Sequence, residues 1–144
     1  MTSPLSLIIA VAVPVALSPL IVLGTRHLFA MFLREGAELF SSAIPHRELA
    51  LGTATTIAIT NATLFTLAWW VAVGLSAAQL SMFVVVVPFL VVLPLGLLLT
   101  RIEVKARLHL APSDAWLVGL LTFAGGNLPL ILAMPFLLML VPQS

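Results

Sequence analysis

The chain is organised by long apolar runs separated by short polar segments. Four runs, at about 5–24, 50–74, 82–100 and 115–141, are each long enough to cross a bilayer as a helix. A crossing needs about 20 mostly apolar residues, because each adds 1.5 Å against roughly 30 Å of hydrocarbon. The pattern predicts an all-α integral membrane protein: one membrane domain over 1–144, with four transmembrane helices.

The segments between the runs differ in character. Residues 25–49 hold Arg26, Arg34, Arg47, Glu35, Glu38, Glu48, His27 and His46. Residues 75–81 (LSAAQLS) hold no charge, and residues 101–114 hold Arg101, Glu103, Lys105, Arg107, His109 and Asp114. Four crossings place the two charged segments on one side of the membrane. All six Lys and Arg residues lie there, and the positive-inside rule makes that side cytoplasmic, with both termini outside. Trp69 and Trp70 then fall near the outer boundary and Trp116 near the inner one, depths that suit indole rings. The first run has no Lys or Arg ahead of it, so it reads as a retained span rather than a cleaved signal.

Within the first charged segment, Phe29, Leu33, Ala37 and Phe40 recur at helical spacing. Two arrangements fit: a short helix along the inner headgroups, or an extension of the first span packed on protein.

A second pattern divides the chain into matching halves. Residues 56–64 (TIAITNATL) and 122–130 (TFAGGNLPL) share the frame Thr-x-Ala-x-x-Asn-x-x-Leu, and Asn61 and Asn127 are the only asparagines. Glu48 and Asp114 each precede their asparagine by thirteen residues. Pro19 precedes Thr25-Arg26 as Pro94 precedes Thr100-Arg101. The halves read as two similarly oriented helical hairpins, a parallel repeat about an axis along the membrane normal. Thirteen helical residues rise about 20 Å, which sets both amides near mid-depth.

An amide at that depth needs a partner, since unsatisfied polar groups in hydrocarbon cost several kcal/mol. One expectation is a hydrogen bond between helices, worth about 0.6–2 kcal/mol. The other is a midplane polar site built from Asn61, Asn127, Thr56, Thr60, Gly125 and Gly126, where amide groups that both donate and accept could replace a solute's hydration. Thr53, Thr56, Thr60 and Thr63 form a hydroxyl stripe on the second span, although threonines in such helices often bond their own backbone. Pro129 cannot donate to the Gly125 carbonyl, which favours a broken helix in the fourth span. Ala54, Ala58 and Ala62 let another helix approach the second span closely.

Composition sharpens this. Charged residues make up 8% of the 144 and hydrophobic residues 62%, with mean hydropathy +1.25. A water-facing domain carries about 25% charged residues, so the solvent here is lipid. A net charge of +1 gives no basic face for nucleic acid. The absence of cysteine removes disulfides, thiol catalysis and cysteine metal sites. No run holds an ionisable side chain, which argues against a proton relay or an embedded haem, and no phosphate loop or HExxH motif occurs.

The expected partners are the lipid bilayer and either further copies of the chain or other membrane subunits; no cofactor or metal is expected. Arg26, Arg34, Arg101, Lys105 and Arg107 suit lipid headgroups or a docking partner. The leading function is a small, non-enzymatic subunit of a homo- or hetero-oligomeric membrane assembly. The second is a small channel or transporter using the asparagine site. The third is an enzyme with a cytoplasmic-face site drawn from His46, His109, Glu38, Glu48 and Asp114.

Overall fold

The computed structural model describes residues 4–41 and 44–139, except for the side chains of residues 137 and 138. The described residues form five α-helices: α1 (Pro4–Phe40), α2 (Arg47–Ala77), α3 (Met82–Leu108), α4 (Pro112–Gly126) and α5 (Leu128–Met139). No strand occurs among the described residues. Three helices are long and apolar enough to cross a membrane. The pair α4–α5, bent by 45° at its break, makes a fourth if taken as one span. Helix is the natural outcome in lipid, because it satisfies every backbone group within its own segment.

Four pairings close the bundle: α1 packs on α2 and α4, and α3 packs on α2 and α4. Paired contacts run in opposite directions along neighbouring helices. Gly36 meets Val118 on α4, and Ser18 on α1 lies 3.4 Å from Thr66 on α2. Gly96 meets Phe123 and Gly119 meets Arg101. The result is an antiparallel four-cornered bundle.

The charged segments are more helical than the sequence pattern suggests. α1 continues through residues 25–40, and Phe29, Leu33 and Ala37 are buried on other helices. Of the two arrangements open for this segment, the extension of the first helix is the one observed. The reason is packing: the spacing that suits a headgroup-facing stripe also suits a helix laid on α2 and α4. α3 likewise continues through residues 101–108, and His109 ends it in the left-handed region at φ 53°.

Two apolar clusters divide the interior. One lies toward the charged segments and includes Phe29, Leu33, Ile57, Val104 and Val118. The other lies toward the α2–α3 turn and is built around Trp69, Val73, Val85 and Phe89. α2 is the spine: half of its most apolar window is buried, against 6% for α1. Ala50, Ala54, Ala58 and Ala62 repeat every four residues along it and are buried, so neighbouring helices approach its backbone closely.

Trp69 is buried. Its indole donates to the Ala10 carbonyl at 2.7 Å, and that of Trp70 to the Val11 carbonyl at 2.9 Å. Ala10 sits four residues before Pro14, which has no N–H to give it. The indole therefore supplies the hydrogen bond that the proline withholds. These rings join helices, a role beyond anchoring at a boundary; Trp116 remains about half exposed.

Candidate functional site: a buried asparagine pair

Asn61 lies in the middle of α2, and Asn127 at the junction of α4 and α5. They meet across the bundle, between its two apolar clusters. Asn127 Nδ2 donates to Asn61 Oδ1 at 3.3 Å. Each amide also bonds back along its own helix: Asn61 Nδ2 to the Ile57 carbonyl and Asn127 Nδ2 to the Phe123 carbonyl, both at 2.9 Å. The two side chains thus make the same local bond four residues back, then join one another. Asn61 is 8% exposed and Asn127 6%. At such burial a missing partner would cost about 1–3 kcal/mol.

Asn127 owes its position to the break. Its backbone (φ −90°, ψ 0°) closes α4. Pro129 supplies no N–H to Gly125, so the ladder is interrupted at that point. α5 restarts in register, with Ile131 N bonded to the Asn127 carbonyl at 2.9 Å.

Beside the pair lies a cavity of about 50 Å³, lined by both asparagines and by Phe65, Phe89, Phe123 and Met134 among other apolar side chains. A water needs about 10–15 Å³ measured this way, so the space suits a few waters or one small solute. Asn127 Oδ1 has no hydrogen-bond donor among the described residues. Gly96 on α3 closes the other side of the pair; a Cβ there would lie 3.0 Å from Asn61 Oδ1 and 2.8 Å from the Phe123 ring.

The other residues of the expected midplane site lie elsewhere. Gly125 and Gly126 do not line this cavity. They receive the rings of Phe32 and Phe29 from α1, and a Cβ on either would overlap those rings. Thr56 and Thr60 are also absent from the lining. Their hydroxyls bond the carbonyls of Gly52 and Thr56 at 3.2 Å and 3.0 Å. Within the threonine stripe, Thr53 differs: its hydroxyl is buried without a hydrogen-bond partner. Phe123 and Gly96 were missed by sequence reasoning. Phe123 stands four residues before Asn127, where a back-bonding amide finds its acceptor, so a signal for it was present. Gly96 carried none.

The basic residues separate by environment. Arg107 pairs with Glu103 at 2.9 Å and reaches the Thr56 hydroxyl at 3.3 Å. The Arg101 guanidinium lies 4.5 Å from the centre of the Trp116 ring, a cation–π contact. Arg26 and Arg101, each directly after a buried threonine, both have a buried Nε without a partner. Arg34 lines a cleft with His27 and Arg47, and Lys105 is exposed. His46 begins α2 and His109 ends α3. Among the described residues, no three His, Asp or Glu side chains gather into a group able to hold a metal, so His46, His109, Glu38, Glu48 and Asp114 do not form one.

Compared with protein families, curated proteins and solved structures, the chain matches none.

Proposed function

We propose that this protein is a small, non-enzymatic subunit of a membrane assembly. It crosses the bilayer four times as two similarly oriented hairpins, with α4 and α5 forming one bent span. The charged ends of the helices face the cytoplasm, where every Lys and Arg lies. Asn61 and Asn127 act as the internal lock that holds the halves together. The observation that carries this reading is the hydrogen bonding of the pair: both Nδ2 groups are engaged by protein, and the adjoining cavity is only about 50 Å³. Partners have room to bind, since just 6% of the most apolar stretch of α1 is buried within the chain.

A second reading is favoured by one observation. Asn127 contributes to a cavity of solute size, and its Oδ1 has no donor among the described residues. A channel or carrier formed by several copies would use that acceptor at mid-depth.

One experiment separates the two. The protein alone is reconstituted in liposomes, and ion and small-solute flux is compared with the Asn61→Leu, Asn127→Leu double variant. The subunit reading expects no flux above empty liposomes, together with a defined assembly or co-purifying partners in mild detergent. Flux in wild type that the double variant abolishes while still folded would replace it with the second reading.

A further inference from the structure

The charged ends of α1 and α2 enclose a cleft of about 250 Å³. His27 and Arg34 reach it from α1 and Arg47 from α2, while Ala50 and Leu51 contribute to its apolar wall. No acidic side chain lines it. The ion pair found among the described residues joins Arg107 to Glu103, so Arg34 and Arg47 are without a carboxylate partner. Two unpaired guanidinium groups and an imidazole around one small space form a basic, donor-rich site. Clefts for drug-sized ligands begin at about 300 Å³, so a small, compact anion is the fitting occupant.

The matching corner of the other half is filled differently. Ala50 and Trp116 each stand eleven residues before their asparagine. Between α3 and α4, Trp116 lies beneath the Arg101 guanidinium, whose charge is matched by the ring face. Between α1 and α2, the small side chain of Ala50 leaves space, and the nearby arginines face it without an aromatic or acidic partner.

We propose that His27, Arg34 and Arg47 bind a phosphate group at the charged end of the α1–α2 hairpin. Arginine forks match phosphate oxygens in pairs, and basic pockets between membrane helices hold anionic headgroups. The phosphate comes either from an anionic lipid or from solution. This site is separate from the asparagine pair and goes beyond the subunit reading.

The test uses the full chain in nanodiscs of mixed phosphatidylglycerol and phosphatidylcholine, extracted in mild detergent and read by native mass spectrometry. Wild type is expected to retain phosphatidylglycerol in preference to phosphatidylcholine. Arg34→Gln with Arg47→Gln is expected to lower that retention about tenfold or more, since each basic residue near the surface contributes severalfold. Ala106→Glu with Ser113→Glu changes the net charge equally on the same flank and is expected to leave retention unchanged. Displacement of the lipid by inorganic phosphate alone would assign the site to soluble phosphate, and persistence of the lipid would assign it to a headgroup. No headgroup preference in inserted wild type together with no binding of inorganic phosphate, or an equal loss in the Ala106, Ser113 variant, would overturn the proposal while leaving the subunit reading standing.

Discussion

In α2 the residue before Asn61 is Thr60, and the helix runs unbroken from Arg47 to Ala77. Before Asn127 stand Gly125 and Gly126, and the helix breaks there by 45°. The two halves otherwise share their marks. Thr25 and Thr100 bond back to the carbonyls of Ile21 and Gly96 at 2.6 Å and 2.8 Å, and both asparagines bond the carbonyl four residues earlier. The difference lies in what each half must accept. Gly125 and Gly126 admit the Phe32 and Phe29 rings of α1, and Pro129 opens the ladder beside them. α2 accepts no such intrusion at Ile59 and Thr60, which are respectively exposed and half-buried. One hairpin therefore supplies a continuous spine, and the other a joint that carries its amide to the spine.

The sharpest way to break this contrast is at the residue before each asparagine. Gly126→Val would drive a side chain into the Phe29 ring. Overpacking typically costs about 1–3 kcal/mol, and this site has rigid neighbours, so about 3 kcal/mol is expected. Thr60→Val at the matching position loses only a bond to its own backbone and should stay within about 0.5 kcal/mol. Reversible unfolding in mixed micelles measures both; equal losses would mean the halves do not differ as described.

Next in size is the amide pair itself. Asn61→Leu leaves one Nδ2–H of Asn127 without its acceptor, while the bond to Phe123 remains, and is expected to cost about 1–3 kcal/mol. A double-mutant cycle with Asn127→Leu should give a coupling of about 0.6–2 kcal/mol. A coupling near zero would show that the two side chains are neighbours without being partners.

The tryptophans offer a third comparison. Trp69→Phe leaves the Ala10 carbonyl without the donor it needs and should destabilise by about 1–2 kcal/mol. Pro14→Ala restores a backbone N–H to that carbonyl, so in its presence Trp69→Phe should cost less. Trp116→Phe, at the exposed contact with Arg101, is expected to be the mildest change, at about 0.5 kcal/mol. If Pro14→Ala gives no relief, Trp69 matters by packing and not by its N–H.

Much of the architecture is visible in the residue pattern because lipid imposes few options. Apolar runs of sufficient length become helices, and the two asparagines in matching frames are close enough to bond. Other features depend on partners distant in sequence. Gly125-Gly126 signals close approach, but nothing local says that Phe29 and Phe32 arrive from α1. The Ala10–Trp69 bond left a legible trace, since Pro14 must orphan a carbonyl one turn back; the donor's identity did not. The threonine stripe left two readings open, and Thr56 and Thr60 take the local one, bonding carbonyls of their own helix. The helical spacing of Phe29, Leu33, Ala37 and Phe40 was legible at 25–40, but not whether that face met headgroups or protein; that depends on α2 and α4, on which Leu33 and Ala37 are buried.

All of this rests on four crossings with the charge gathered at one face. The chain has no cysteine, so single-cysteine variants report sidedness without background. Glu38→Cys, Gln79→Cys and Lys105→Cys, each in oriented vesicles, are treated with a membrane-impermeant thiol reagent from either side. The account expects positions 38 and 105 to label from the cytoplasmic side and position 79 only from the opposite side. Labelling of 79 from the same side as 105 would contradict it.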